Sequence, residues 1–489
     1  MLKTIIAGEK GTVGKWDILE IEAKGFSDNN PFTDYQIKGE FTGKDENITA
    51  DGFYDGNGVY RVRFMPSFEG EYSYKISGSF AEGTKSGSFT VTPPRAGVRG
   101  PVRVANRHHF AYADGTPYYP IGTTCYAWTN QPAEVQELTL EELKKGYFNK
   151  IRFCVFPKSY VYSQKEPEVY PYAGEPIRNW DFKRFIPEYF QRFENRIQDL
   201  AELGVEADII VMHPYDRWGF SDMGREADGL YWKYIIARFA AFRNVWWSFA
   251  NEYDLMETKC IADWERYAAV LCEKDPYSRL RSIHNGWRFY DHTKPWVTHC
   301  SIQCSDVERA EEWRGQYGKP TVFDEMVYEG NIPELFGRLS ARELVRRFWE
   351  AAVRGGYGGH GETYRHPEDI IWWSHGGKLH GESPERIKFL LNILKETPGT
   401  GLKQYKSKDI FENEGTIAVP EEPQKEYYLI YLGKLTPVYH EYNLDADTDY
   451  EVEVIDTWEM KIEKRGVMRG KMLIYLPGKE YMAIRIKKA

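Results

Sequence analysis

The chain has 489 residues, 42% hydrophobic and 16% aromatic, with 15 Trp, 35 Tyr and a formal charge of −9. Such a length predicts about two to four domains rather than one. The acidic balance, without a basic stripe, excludes a nucleic-acid partner, and no apolar run reaches the roughly 20 residues of a membrane helix, so no membrane partner is expected. Aromatic side chains stack on sugar faces as readily as they fill cores, a weak pointer to carbohydrate.

The first residues, Met1 to Lys10, carry an apolar run too short for a signal peptide. Six cysteines lie scattered at positions 125, 154, 260, 272, 300 and 304, without the spacing of a disulfide framework. Reduced thiols in a cytoplasmic protein are the expectation. Cys300 and Cys304 beside His299 match no strong zinc spacing, and Arg107-His108-His109 reads as a surface turn, so no metal or cofactor is expected.

Residues 1–95 read as an Ig-like β-sandwich. Trp16 to Glu22, Val59 to Phe64 and Glu71 to Ile76 alternate with period two, Ser88 to Val91 follows, and Asp51-Gly52 and Asp55-Gly56 punctuate them. This module shows no chemistry of its own and is read as a packing partner or a sugar-binding accessory. Thr92 to Gly97 is the linker.

Residues 96–398 change to strands alternating with amphipathic helices, the pattern of βα units. The strands are read as Tyr118 to Thr124, Lys150 to Phe156, Ala207 to Met212, Val245 to Ala250, Arg281 to His284, Thr298 to Gln303, Thr321 to Phe323 and Tyr357 to Gly361. Helices are read at Phe190 to Leu203, Tyr231 to Phe242, Trp264 to Cys272, Ala341 to Arg354 and Glu385 to Glu396. The fold class is therefore α/β, a (β/α)8 TIM barrel. Ile121-Gly122-Thr123-Thr124 is not the Gly-rich phosphate turn that an open doubly wound sheet would carry. Residues 399–489 return to strands at Tyr427 to Tyr431, Tyr450 to Ile455, Met472 to Tyr475 and Tyr481 to Ile486, a second, small β-sandwich.

Polar residues gather where the barrel strands end, the mouth at which barrel active sites sit. They include His213 and Tyr215, Asn251 and Glu252, His284 and Trp287, Gln303, Tyr328, His360 and Glu362. That mix suits a polyhydroxylated partner, with amides and carboxylates for hydroxyls and aromatic rings for sugar faces. Two apolar runs stop abruptly on acids: Val245-Trp246-Trp247-Ser248-Phe249-Ala250 on Asn251-Glu252, and Thr321-Val322-Phe323 on Asp324-Glu325. Strand alternation sends Asp324 and Glu325 to opposite faces, so one of them faces the mouth. Two glutamates converging from nonadjacent strands are the equipment of glycoside cleavage, about 5–5.5 Å apart for retention and about 6.5–9.5 Å for inversion. Blander readings stand beside these. A lone His after a strand is often a satisfied core residue, Glu362 could serve a loop salt bridge, Trp246 and Trp247 belong to the core, and Glu257, Glu265 and Glu273 read as a solvated helix face.

An Asn-Glu at the end of the fourth strand with a second Glu at the end of the seventh resembles the clan A retaining glycoside hydrolases. The likeness is sharper to a bacterial group of three-domain candidate glycoside hydrolases with an N-terminal sandwich, a barrel and a small C-terminal β-domain. The matching pieces are Trp246 to Asp254, Pro320 to Glu325, Gly359 to Tyr364 and Trp372 to Gly377. The resemblance implies Glu252 as general acid/base and Glu325 as nucleophile. It implies Asn251 on the hydroxyl next to the anomeric carbon, with His213, Tyr215, His284 and Gln303 binding the nucleophile or the sugar. It also implies that Glu325 is ionised and that its charge holds the proton on Glu252. The sequence departs from the clan after the eighth strand, where Gly359-His360-Gly361-Glu362 replaces a Trp platform. Glu362 is then expected to bind a hydroxyl or an unusual sugar, with Trp372, Trp373 or Trp287 as the platform. The expected partner is an oligosaccharide or glycoside, and a homo-oligomer stays open. A metal-dependent barrel hydrolase and a non-catalytic carbohydrate-binding protein are the alternatives.

Overall fold

The computed structural model describes residues 2–175, 179–367, 371–406, 415–421 and 426–489. Eight parallel strands form its centre: β1 (Gly122–Thr124), β2 (Lys150–Cys154), β3 (Glu206–Met212), β4 (Val245–Ala250), β5 (Arg281–Ser282), β6 (Cys300–Gln303), β7 (Thr321–Glu325) and β8 (Tyr357–His360). Their order is β5-β4-β3-β2-β1-β8-β7-β6, and a bridge between His284 and Ser301 joins the two ends into a barrel. Every residue of β2, β3 and β4 is buried, as strands covered on both faces must be. Trp246 and Trp247 are core residues, their indoles donating to Glu206 and Asp275 at 2.8 and 3.3 Å.

Around the barrel run α1 (Ala133–Lys144), α2 (Pro187–Leu203), α3 (Arg225–Phe239), α4 (Ile261–Lys274), α5 (Ala310–Tyr317) and α6 (Ala341–Ala352), then a single turn α7 (Trp372–His375), and α8 (Ser383–Lys395). Helix α2 begins on Pro187 and stops at Gly204, whose φ of 71° is the left-handed conformation that glycine takes at little cost. Helices α1 and α5 and a hairpin of Tyr172–Glu175 with Asn179–Phe185 go beyond what the sequence pattern reveals. The expected first strand is divided. Pro117–Tyr118 pairs instead with His109–Tyr112, and the chain enters β1 only after Pro120, whose missing N–H cannot join a ladder.

N-terminal to the barrel, a four-stranded and a five-stranded sheet enclose Leu19, Ile21, Phe41, Phe64 and Phe89. C-terminal to it, a six-stranded sheet and a two-stranded pair enclose Ile430, Val452, Ile474 and Ile484. Ion pairs weld both to the barrel. Arg63 donates to Glu20 at 2.8 Å and to both oxygens of Glu194 in α2, at 2.7 and 2.9 Å. Arg485 donates to Glu396 just past α8, at 2.6 Å. His109 is not on a surface turn. It is buried, with Nδ1 2.6 Å from the Tyr357 hydroxyl and Nε2 2.7 Å from Glu421, and the turn comprises Asn106, Arg107 and His108. Glu265 likewise is not merely solvated, since it accepts from Tyr290 and Trp296 at 2.6 and 3.3 Å. All six cysteines are unpaired, and no described helix is long and apolar enough to cross a membrane.

Candidate active site

Strand β4 delivers Asn251 and Glu252. Glu252 has a φ of 52°, a left-handed conformation that costs a side-chain-bearing residue about 1–2 kcal/mol, and the strain sits where the chain leaves the strand. The Glu252 carboxylate accepts from Asn251 Nδ2 at 3.1 Å and from the Tyr215 hydroxyl. Three strands further round the barrel, β7 delivers Glu325. That carboxylate accepts from the Tyr126 hydroxyl, with Arg152 Nη1 at 3.9 Å and His284 Nε2 at 3.8 Å.

Asp324 and Glu325 do not alternate simply. Between β6 and β7, Ile302 faces Phe323 and Gln303 faces Glu325, so Asp324 is an extra, bulged residue. Its carboxylate drops into the barrel, 2.6 Å from Lys150 Nζ and bonded to Ser301, and Lys150 and Arg152 hold it well below the usual carboxylate range against the upward push of burial. Lys150 also pairs with Asp208 at 2.7 Å. The bulge therefore stacks a structural acid beneath the one at the mouth.

Burial first, and the Glu252 charge second, push the Glu325 carboxyl up to about 7, while Arg152, the Tyr126 hydroxyl and Lys158 pull it down. Burial and the Glu252 charge both oppose the ionisation that the resemblance implies for Glu325. Two carboxylates that feel each other hold a proton as a pair. His284 is driven well below its ordinary value by burial and then by Arg152, so it is neutral. His213 is lowered to about 4, by burial and then by Lys158, with Nε2 3.3 Å from the Phe156 carbonyl.

Other expected residues divide into two groups. Tyr328 is buried against Trp373, and its phenol feels the Glu325 charge. It needs Gly361, because a Cβ there would stand 2.2 Å from the Tyr328 ring. Gln303 is pinned by Asn285, which accepts from its N–H at 3.1 Å and donates to its carbonyl at 3.2 Å. Of the platform candidates, Trp372 is buried with its indole on Thr123 at 2.9 Å, and Trp373 packs edge-on against Tyr126. Trp287 is 83% exposed, a ring in solvent.

His360 and Glu362 are placed differently from expectation. Past β8 the chain pairs Glu362–Thr363 with Glu329–Gly330, which turns Glu362 under the loop before α8. There Glu362 is 1% exposed and accepts the N–H groups of His380 and Gly381 at 2.6 and 2.8 Å. Glu329 accepts those of Glu382 and Ser383 at 2.9 and 3.2 Å. Burial pushes the Glu362 carboxyl up to about 8, with Glu329 adding to it. His360 stacks on Phe148 and meets Thr123 Oγ1 at 2.9 Å. Ligand atoms of Glu329, His360 and Glu362 come within 4.8 Å of one another, so they could hold a cation. The N–H groups aimed at both carboxylates already supply their positive partners, and the cluster acts as a clasp on the start of α8.

Sequence reasoning placed Tyr126 and Arg152 among the polar residues at the mouth without pairing either with Glu325, and it missed Lys158. The Lys158 ammonium lies 3.5 Å from the centre of the Tyr126 ring and 4.2 Å from that of Tyr215. The one available signal was a lysine in Phe156-Pro157-Lys158, just past β2. A separate cavity of about 940 Å³ opens between the N-terminal sheets and α3, and none of the residues above lines it.

A family model described as the catalytic domain of apiosidase-like proteins matches residues 104–398, and two domains of unknown function match residues 12–79 and 415–487. A candidate glycoside hydrolase from Bacteroides vulgatus of known structure is 37% identical, with a TM-score of 0.92 over 98% of this chain and 100% of that one. A family 5 glycoside hydrolase from the same organism shares the fold at 14% identity, with a TM-score of 0.60 over 80% of this chain and 94% of that one. No curated protein matches. With more than half of its length matched by one family model and a full-length relative beside it, the chain belongs to the apiosidase-like catalytic-domain family.

Proposed function

We propose that this protein is a retaining glycoside hydrolase acting on short oligosaccharides or small glycosides by double displacement. One observation carries the reading: Glu252 and Glu325 leave β4 and β7 toward one mouth, each held by a tyrosine hydroxyl, and the Glu325 carboxyl feels the Glu252 charge. The family and its glycoside-hydrolase relatives support the reaction class.

In the first step Glu325 attacks the anomeric carbon, while Glu252 protonates the departing oxygen and a glycosyl ester forms. Arg152, neutral His284 and Tyr126 surround the attacking carboxylate and fix its orientation. In the second step Glu252 takes a proton from water, which attacks the same carbon and frees Glu325. Asn251, whose buried Oδ1 has no hydrogen-bond partner among the described residues, is suited to the hydroxyl beside that carbon. The active pair carries one proton, and positive charge growing on the sugar favours that proton on Glu252, away from the attacking group. Trp373, rather than solvent-exposed Trp287, is the better sugar platform. The unpaired cysteines fit a reducing, cytoplasmic setting and an imported substrate.

The test is a panel of aryl glycosides, aryl apiosides included, offered to wild type and to Glu325→Ala with and without azide. Wild type should release a product of retained configuration. The variant should be inactive until azide yields the glycosyl azide, which identifies sugar and nucleophile together. Wild-type turnover in Glu325→Ala would refute the assignment.

A further inference from the structure

Lys158 is 3% exposed, and among the described residues no carboxylate pairs with it directly. Its ammonium faces rings instead: Tyr126 at 3.5 Å, Tyr215 at 4.2 Å, Tyr160 at 4.9 Å and Trp373 at 5.9 Å. The two nearest are the tyrosines whose hydroxyls donate to Glu325 and Glu252. An ammonium over a ring face is attracted by the ring quadrupole, more so when desolvated. One cation therefore clamps both donors that address the two acids.

The charges below the mouth sharpen the point. Lys150 is shared by Asp208 and Asp324, and Arg152 lies 3.5 and 4.0 Å from the same two acids. Arg152 also reaches Glu325, at 3.9 Å, so two cations serve two aspartates and a glutamate, and Lys158 supplies a third positive charge for one ionised glutamate of the pair. Its ammonium is itself disfavoured by burial first, then opposed by Arg152 and supported by Cys154, Glu252 and Glu325. The neighbouring imidazoles of His213 and His284 are neutral and add no competing charge.

We propose that Lys158 is a positioning residue for the hydrolysis, clamping Tyr126 and Tyr215 onto their carboxylates and supplying the charge that keeps one of the two glutamates ionised. The inference rests on the two-glutamate reading above. Removing a buried positive charge makes both carboxyls hold their protons more tightly, so the limbs of the pH profile must move to higher pH.

The experiment compares pH profiles of kcat and KM for wild type, Lys158→Met, Lys158→Gln and Lys158→Arg, on an aryl glycoside for which azide rescue of Glu325→Ala has been shown. Failure of that rescue would strike the two-glutamate reading itself, whatever the lysine variants do. With rescue in hand, both neutral variants should fold, lose at least about tenfold in kcat with KM little changed, and show the alkaline limb displaced upward by roughly one pH unit. Lys158→Arg should restore the wild-type limb. An unmoved limb in the neutral variants, or a loss confined to KM, overturns the proposal. If both neutral variants fail to fold, Lys158→Arg carries the test: it must keep the wild-type limb and kcat, and a limb displaced upward with a cation still in place overturns the proposal.

Discussion

The Glu325 carboxyl rises to about 7 because burial and a neighbouring acid both oppose its charge. Glu325 thus titrates near neutrality, and catalysis that needs one proton on the two acids ends as pH climbs through that value. In wild type, kcat/KM should fall on the alkaline side with an apparent pKa near 7. Tyr126 donates to the ionised form of Glu325 and so lowers this value. Tyr126→Phe should therefore move the alkaline limb upward, and profiles on one aryl glycoside check both statements. A limb at the ordinary range of an isolated carboxylate, unaltered in the variant, would show that the two acids do not share a proton. Glu252 and Glu325 were legible because an apolar run that ends on an acid is a strong one-dimensional signal. Tyr126 and Lys158 carry no such mark, since their roles come from lying beside one another across β1 and β2.

At the scale of the element, the eight barrel strands could be read because buried parallel strands leave continuous apolar runs. Local exceptions could not. Pro120 divides the first strand, and the bulge at Asp324 defeats a period-two reading of β7. Glu362 misleads for another reason: an acid after a Gly-rich strand end suits a ligand and a backbone clasp equally, and only the pairing with Glu329–Gly330 decides between them. That clasp has a measurable consequence. Glu329 is fully buried, and its two oxygens take N–H groups at the start of α8. In Glu329→Gln an amide NH2 would oppose one of those donors. Stability should fall by about 1–3 kcal/mol, the usual cost of an unsatisfied buried donor, and denaturant unfolding at constant m-value would show it. Unchanged stability would mean that α8 is held by its apolar face alone.

Across the whole molecule, the N-terminal sheets are tied to the barrel through Arg63, which lies between Glu20 of its own sheet and Glu194 of α2 and also donates to the Arg238 carbonyl at 2.7 Å. Burial pushes the Glu20 carboxyl up, but Arg63 and Arg61 outweigh it and leave Glu20 below its ordinary value. Asp55 is lowered in the same way, burial being outweighed by Arg238. An acid whose folded pKa is depressed contributes stability above its unfolded pKa, and that contribution is lost as pH falls through the folded one. The union of sheets and barrel should thus weaken below about pH 4, where unfolded carboxylates take up protons. Arg63→Met removes the cation and leaves Glu20 and Glu194 facing each other without it, at a cost of about 3–5 kcal/mol near neutrality. The same substitution releases the depressed Glu20, so the variant should lose less stability on acidification than wild type does. Denaturant midpoints at pH 7 and pH 4 decide the matter. A wild-type advantage that narrows toward pH 4 locates the tie in these charges, whereas an advantage of equal size at both values assigns it to the Arg63 guanidinium lying over the Phe53 and Phe242 rings.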